Sequence, residues 1–407
     1  MGYLNRWAES PSIRLVSMRK LPSAPVLLGA MLLCTVLALT TALPDGAAQA
    51  TVQRYALGSG IQLTVAEVPR QRLSYRVLET TVARAELTPL GGRLTARQPL
   101  SALAAVGGPG VLAAVNGDFF DIVGSGVPLG PVIRDGQVLK ASAVPVKAVG
   151  TDPRGRLRQG RVRLGGAVAV AGTPHRLDCL NCRSLKPGFA VYTPDWGSAP
   201  RPVRSPGPVR QLTVSAGRVV DVRDRADNSS VPEDGFVLVA VGPAAKSLAA
   251  VRAGAPASFK AGQAGGGSPW ELALGYRGTL LRKGEIPRFP GTHWYETREP
   301  RTALGWDGTG RRLWLLTVDG RSSHAAGLTV AGTARLLKRL GAANAVMLDG
   351  GGSTQMMART GPAALRTVNV PSGHQERPVP NGLALVAPVT PVTPVTPGRE
   401  FATRRTP

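Results

Sequence analysis

Near its C-terminal end the chain reads Leu348-Asp349-Gly350-Gly351-Gly352-Ser353-Thr354, a carboxylate at the head of a turn stripped of side chains. Three consecutive glycines let backbone N–H groups approach a ligand closely and point at an anion. Ser353 and Thr354 add hydroxyl donors. No Gly-Lys-Ser/Thr follows, and no G-x-G-x-x-G opens a helix, so neither common nucleotide-phosphate loop is present.

Other polar groups recur in short motifs: Asn116 and Asp118 in Asn-Gly-Asp-Phe-Phe, Arg301 in Arg-Thr-Ala-Leu-Gly, Asp319 and Arg321 in Val-Asp-Gly-Arg, and the pair Glu376-Arg377. A guanidinium fork matches phosphate oxygens bidentately. Carboxylates suit attack on an anomeric carbon, or activation of water there. The expected chemistry therefore involves a phosphate and a sugar. Arg301 and Arg321 would hold the phosphate together with the amides of Gly350, Gly351 and Gly352 and the hydroxyls of Ser353 and Thr354, with Arg377 a further substrate-binding candidate. Asp349 or Glu376 would act as base or nucleophile, with Asp319 a third catalytic candidate, and Asn116 and Asp118 would orient sugar hydroxyls or carboxylates. Plain readings stand beside these: Asp319-Gly320 is also an ordinary turn, and Glu376-Arg377 a surface ion pair. A divalent metal held by Asp118, Asp319 and Asp349 could assist; its identity is unknown from sequence.

The elements that would position these groups are clearest between Arg312 and Gly352. Leu313-Trp314-Leu315-Leu316-Thr317-Val318 reads as a buried strand ending in a turn. Thr329 then caps a helix in which Val330, Ala334, Leu337 and Leu340 recur at helical spacing, and Gly341 ends it. A second strand, Ala345 to Leu348, leads into Asp349. If the two strands are neighbours, the crossover makes them parallel and sets Asp319 and Asp349 at one carboxyl edge, where open α/β sheets place ligands. Val111 to Val115 repeats the pattern of apolar strand and polar turn, and its end could join that edge.

At this point five motifs stand in order: 116–120, 301–305, 317–321, 348–354 and Glu-Arg-Pro-Val-Pro-Asn-Gly-Leu at 376–383. With them the chain resembles the phosphodiester glycosidase family over roughly 111–386, the stretch 140–290 carrying little of the signal. The resemblance implies hydrolysis of the bond between a sugar's anomeric carbon and a phosphodiester, on a mixed α/β domain. The family commonly has Ser-Asp ahead of its Glu-Arg, whereas Ser372-Gly373-His374-Gln375 precedes Glu376 here, so any role of that aspartate is lost or moved to His374. Ser322-Ser323-His324 after Arg321 is a second departure.

Composition bounds the rest. The first 50 residues read as a targeting signal, with Arg6, Arg14, Arg19 and Lys20 ahead of an apolar stretch from Val26 to Leu43 and a small-x-small site at Ala48-Gln49-Ala50. A retained N-terminal anchor is the alternative. Removing this segment leaves a charge of +22 (24 − 2) over 357 residues (407 − 50). Such a charge favours anionic surroundings. No basic helix, zinc-finger spacing or aromatic-interleaved basic run suggests nucleic acid. The expected partner is a phosphorylated sugar or glycopolymer, in a secreted or extracytoplasmic setting beside an anionic cell envelope.

Glycine at 50 residues and proline at 35 favour turns and short strands over long helices. We expect an α/β (mixed α+β) fold with mixed sheets: a β-rich segment over 51–110, the catalytic domain over 111–387 with 140–290 as an inserted lobe, and a Pro/Thr tail over 388–407. Cys179 and Cys182, spaced Cys-x-x-Cys, are expected to form a short-range disulfide outside the cytosol.

Overall fold

Alternating apolar and polar residues near the N-terminus form strands, as their period of two dictates. Thr51–Gly58, Ile61–Val68 and Leu73–Thr81 pair antiparallel, and Leu73–Thr81 continues onto Arg312–Val318. The computed structural model describes residues 49–184, 186–201, 203, 207–361 and 365–387; the expected leader up to residue 48 and the Pro/Thr tail lie outside them.

These strands open a seven-stranded sheet that goes on through Arg301–Trp306, Asn344–Met347 and Gly278–Leu281. The strand–helix–strand unit is present: Arg312–Val318, the helix Val330–Leu340 and Asn344–Met347. Thr329 accepts the amide of Gly332 at 3.0 Å, and Gly341 closes the helix at φ 102°, the left-handed value glycine takes without strain. The expectation of neighbouring parallel strands needs correction. Arg301–Trp306 lies between the two and pairs antiparallel with both. The flanking strands still run parallel, so Asp319 and Asp349 leave from one edge. The inserted strand runs the other way, and its first residue, Arg301, falls on that same edge.

A five-stranded sheet packs face to face on the seven-stranded one. It contains Val111–Asn116 and Gly382–Val386, paired antiparallel. Leu63, Leu78, Leu304, Leu315 and Val346 of one sheet meet Val115, Met356, Leu383 and Leu385 of the other in a shared core. Outside this sandwich, Val330, Ala334 and Leu337 of the capped helix bury against Trp314, Leu316 and Met347, and Leu100, Leu103 and Ala104 of the short helix Leu100–Val106 cover Ala114 and Ala384. Helices are thus fewer than the α/β expectation implied. The described residues hold four, and only Val330–Leu340 exceeds seven residues.

Residues 132–275 build a ten-stranded sheet, with a three-stranded sheet drawn from 164–263 packed on it around Val168, Leu212, Val214 and Leu238. Cys179 and Cys182 are joined by a disulfide across Asn181, itself left-handed at φ 52°.

Candidate active site

The shared sheet edge opens onto a cavity of about 230 Å³, lined by Asp349, Gly350, Gly351, Gly352, Arg301, Arg321 and Arg377, and by Phe119, Trp294, Thr297 and Glu299. Seven residues expected from sequence therefore meet here. Three arginines face two carboxylates, so the cavity favours an anion.

Asp349 is half-buried on the cavity wall. Burial pushes its carboxyl up to about 6, against the opposite pull of the Ser353 hydroxyl, the Arg377 guanidinium, the Gly350 amide and Arg277. Its main chain is clamped: the amide donates to the Gly117 carbonyl at 2.9 Å, and the carbonyl accepts Nδ2 of Asn116 at 2.7 Å. Asn116 is wholly buried, and its Oδ1 also accepts the Thr302 hydroxyl at 2.8 Å and the Gln355 amide at 3.1 Å. It anchors the reactive loop from behind, where orientation of sugar hydroxyls was expected.

Of the three glycine amides, one is turned inward. Gly351 donates to the Pro300 carbonyl at 2.8 Å, as Ser353 does to Gly350 and Thr354 to Gly351, both at 3.1 Å, while the Gly350 amide serves the Asp349 carboxylate. The missing side chains also provide proximity. A β-carbon on Gly352 would collide with the Arg377 guanidinium, and one on Gly351, held at φ +58°, would lie 3.1 Å from Nη2 of Arg321. The loop is bare so that two arginines can close over it beside Asp349. Ser353 and Thr354 are buried beneath the loop; the Ser353 hydroxyl oxygen accepts Nη1 of Arg377 at 3.3 Å.

Arg321 donates its Nε to Glu299 at 2.6 Å and holds a left-handed backbone, φ 62°, a conformation costing a non-glycine residue on the order of 1 kcal/mol. Arg301 is 3 % exposed; Nε donates to the Leu328 carbonyl at 2.9 Å and Nη2 to the Thr297 carbonyl at 2.7 Å. Burial lowers its pKa to about 10, which leaves it charged at neutral pH. With Nε and Nη2 committed, Nη1 is the donor it can turn to a ligand.

Three expected residues stand elsewhere. Asp319 is 3 % exposed and sits against Arg76, accepting the Ser74 hydroxyl at 2.8 Å, Nδ2 of Asn369 at 3.1 Å and the Val370 amide at 3.1 Å. Every acceptor position is filled by protein, which is the geometry of a structural ion pair. Glu376 accepts the Ser101 amide at 3.1 Å and hydroxyl at 2.8 Å, and the Thr367 hydroxyl at 2.7 Å, so it caps the first turn of Leu100–Val106. Asp118 is buried behind the cavity, where it accepts the Gly130 amide at 2.7 Å; burial raises its pKa and lowers that of Lys140, whose Nζ donates to the Gly130 carbonyl at 2.8 Å. Among the described residues no group of metal-ligating side chains converges, so Asp118, Asp319 and Asp349 do not form the donor set considered above. His374 and the Ser322–His324 stretch do not line the cavity.

The aromatic wall escaped sequence reasoning. Trp294 lies 6.4 Å from Phe119 between ring centroids, with the guanidinium of Arg277 5.0 Å and that of Arg301 5.6 Å from its ring. The available signal was His293-Trp294-Tyr295, an aromatic cluster within a run otherwise rich in Pro, Gly and Arg.

Residues 209–386 match the model of the phosphodiester glycosidase family. No curated protein matches the chain. Among solved structures, an uncharacterised Synechocystis protein is similar at TM-score 0.65 and 19 % identity, covering 83 % of this chain and 64 % of its own. A protein from Burkholderia pseudomallei is similar at TM-score 0.60 and 23 % identity, covering 77 % of this chain and 74 % of its own. The catalytic domain of zebrafish N-acetylglucosamine-1-phosphodiester α-N-acetylglucosaminidase superposes with TM-score 0.45 at 16 % identity, covering 84 % of this chain and 89 % of its own.

Proposed function

We propose, from the match of residues 209–386 to the phosphodiester glycosidase family, that this protein hydrolyses the glycosidic bond of a sugar-1-phosphodiester. The observation that carries the reading is Asp349, a carboxylate raised to about 6, flanked across a side-chain-free loop by Arg321 and Arg377. A carboxylate of that pKa is ionised at neutral pH and still a useful base. Arginines beside it offset the repulsion an anionic substrate would otherwise feel.

The phosphodiester is held by Arg321, Arg377 and Nη1 of Arg301. The sugar lies toward Trp294 and Phe119, whose faces suit the apolar side of a pyranose ring. Asp349 acts at the anomeric carbon, as nucleophile or as base to a water molecule. The bond from that carbon to the bridging oxygen breaks, and the phosphate departs as a monoester anion. A phosphate is a good leaving group, so little general-acid assistance is needed, and one reactive carboxylate suffices. The substrates that fit the strongly basic chain and its expected leader are glycopolymers of an extracytoplasmic envelope.

Hydrolysis in oxygen-18 water tests the reading. Label in the released sugar supports cleavage between carbon and oxygen. Label in the phosphate would identify a phosphodiesterase instead, and absence of turnover on a panel of sugar-1-phosphodiesters would leave an anion-binding protein.

A further inference from the structure

Away from the cavity, a groove of about 350 Å³ runs between the strand Leu157–Val162 and residues 263–270, lined by Arg158, Arg161, Arg163 and Trp270. Leu157–Val162 is the edge strand of the ten-stranded sheet. Its far wall is pinned: Gln263 accepts the Trp270 amide at 2.7 Å and donates to the Trp270 carbonyl at 2.8 Å. The floor is an indole with a guanidinium on it, Arg158 lying 3.9 Å from the Trp270 ring centroid while its Nη2 donates to the Ser268 carbonyl at 2.6 Å and the Pro269 carbonyl at 2.7 Å. Nε of Arg158 is buried with no partner.

The charge arrangement is unfavourable for the protein alone. Arg161 stands directly opposite Lys147 across the antiparallel pair, and like charges in that position repel. Among the described residues, Lys147, Arg161 and Arg163 have no carboxylate partner. Charges on an edge strand do guard against strand-to-strand association. That role asks for neither a groove nor a pinned aromatic floor. Gln159 within the groove accepts from the Tyr276 hydroxyl at 3.4 Å, and the next residue, Arg277, holds its guanidinium 5.0 Å from the Trp294 ring centroid.

We infer that this groove is a second, non-catalytic binding site for the anionic backbone of a polymeric substrate, a glycan chain carrying repeated phosphodiesters. The inference deepens the functional reading above and rests on it for the identity of the bound chain. Nucleic acid fits less well, because the one aromatic face is covered by Arg158 and offers no platform for a base.

The test uses the full chain, a synthetic poly(glycerol phosphate) oligomer as binding probe, and an oligothymidylate of equal charge as competitor. The double variant Arg161→Glu/Arg163→Glu should bind the oligomer about tenfold more weakly, with a shallower dependence on salt. It should raise KM for a polymer-linked sugar-1-phosphodiester with kcat unchanged, and leave a monomeric substrate unaffected. Arg161→Glu loses the exposed 3.1 Å bond from Nη1 to the Pro145 carbonyl but gains an opposite charge facing Lys147, so the double variant should keep a Tm within a few degrees of wild type, which separates loss of binding from loss of fold. Unchanged affinity for the oligomer, tighter binding of the oligothymidylate, or an equal loss on the monomeric substrate would each overturn the inference. Should the wild-type protein hydrolyse no sugar-1-phosphodiester at all, the functional reading fails, and the binding comparison still decides the groove.

Discussion

Asp319 and Asp349 end two parallel strands of one sheet, both precede a glycine, and both were expected to do chemistry. Their surroundings separate them. Around Asp319 the protein supplies Arg76, Ser74, Asn369 and the Val370 amide, leaving no acceptor for a ligand. Around Asp349 it supplies a bare loop, so two guanidinium groups approach without closing off the carboxylate. A charge fully satisfied by the protein holds structure together; one left partly unsatisfied at a cavity wall is available to a substrate. Both are Asp-Gly turns at the carboxyl end of a strand, and the glycines that follow and the tertiary neighbours make the difference.

The sharpest way to break this comparison is Asp349→Asn, expected to lower kcat by about a thousandfold or more while the protein stays folded. Its effect on stability has a definite sign. The folded pKa of about 6 lies above the ordinary carboxylate value, so the protonated form favours folding at low pH, and this contribution is lost as pH rises from about 4 through 6. The Asn variant lacks that loss and should be more stable than wild type at pH 7, by about 3 kcal/mol at most, and so melt at a higher Tm. Thermal scans across that window check it, and a variant that keeps wild-type turnover would remove Asp349 from the chemistry.

Asp319→Ala tests the other side. It leaves the buried Arg76 with only the part-exposed Glu67, at 3.1 Å, as carboxylate partner and should cost about 2 kcal/mol or more in denaturant unfolding. Turnover per folded molecule should fall far less than in Asp349→Asn, and a loss as large in undamaged protein would erase the distinction drawn here.

A smaller effect sharpens the role of the arginines. In wild type kcat/KM should rise with pH through about 6 as Asp349 ionises. Arg377 pulls that pKa down, so Arg377→Gln should move the inflection upward. A pH–rate profile left in place by that substitution would show that Arg377 does not act on Asp349.

The smallest effect belongs to Glu376. As a helix cap its replacement by Gln should cost about 1 kcal/mol or less and spare kcat. A large drop in kcat for Glu376→Gln would restore it to the reaction.

Local pattern made much of this legible. The capped helix Val330–Leu340 and its flanking strands follow from periodicity, Thr329 and Gly341, because short-range hydrogen bonds and burial of one face decide them. Asp349, its glycines and the three arginines were visible as residue types suited to one chemistry. Trp294 was not, since a short helix of four residues leaves no periodic trace.

Sequence by itself determined which groups this protein has to work with and the β-rich character of the chain that carries them. Only tertiary structure decided their use. The antiparallel strand Arg301–Trp306 slipped between two parallel ones and brought Arg301 to the edge, while Asn116 arrived from a different sheet to clamp the loop. Whether a carboxylate is spent or free depends on partners up to hundreds of residues away in the chain, such as Arg76 for Asp319, and such contacts leave no mark on the residues adjacent to it.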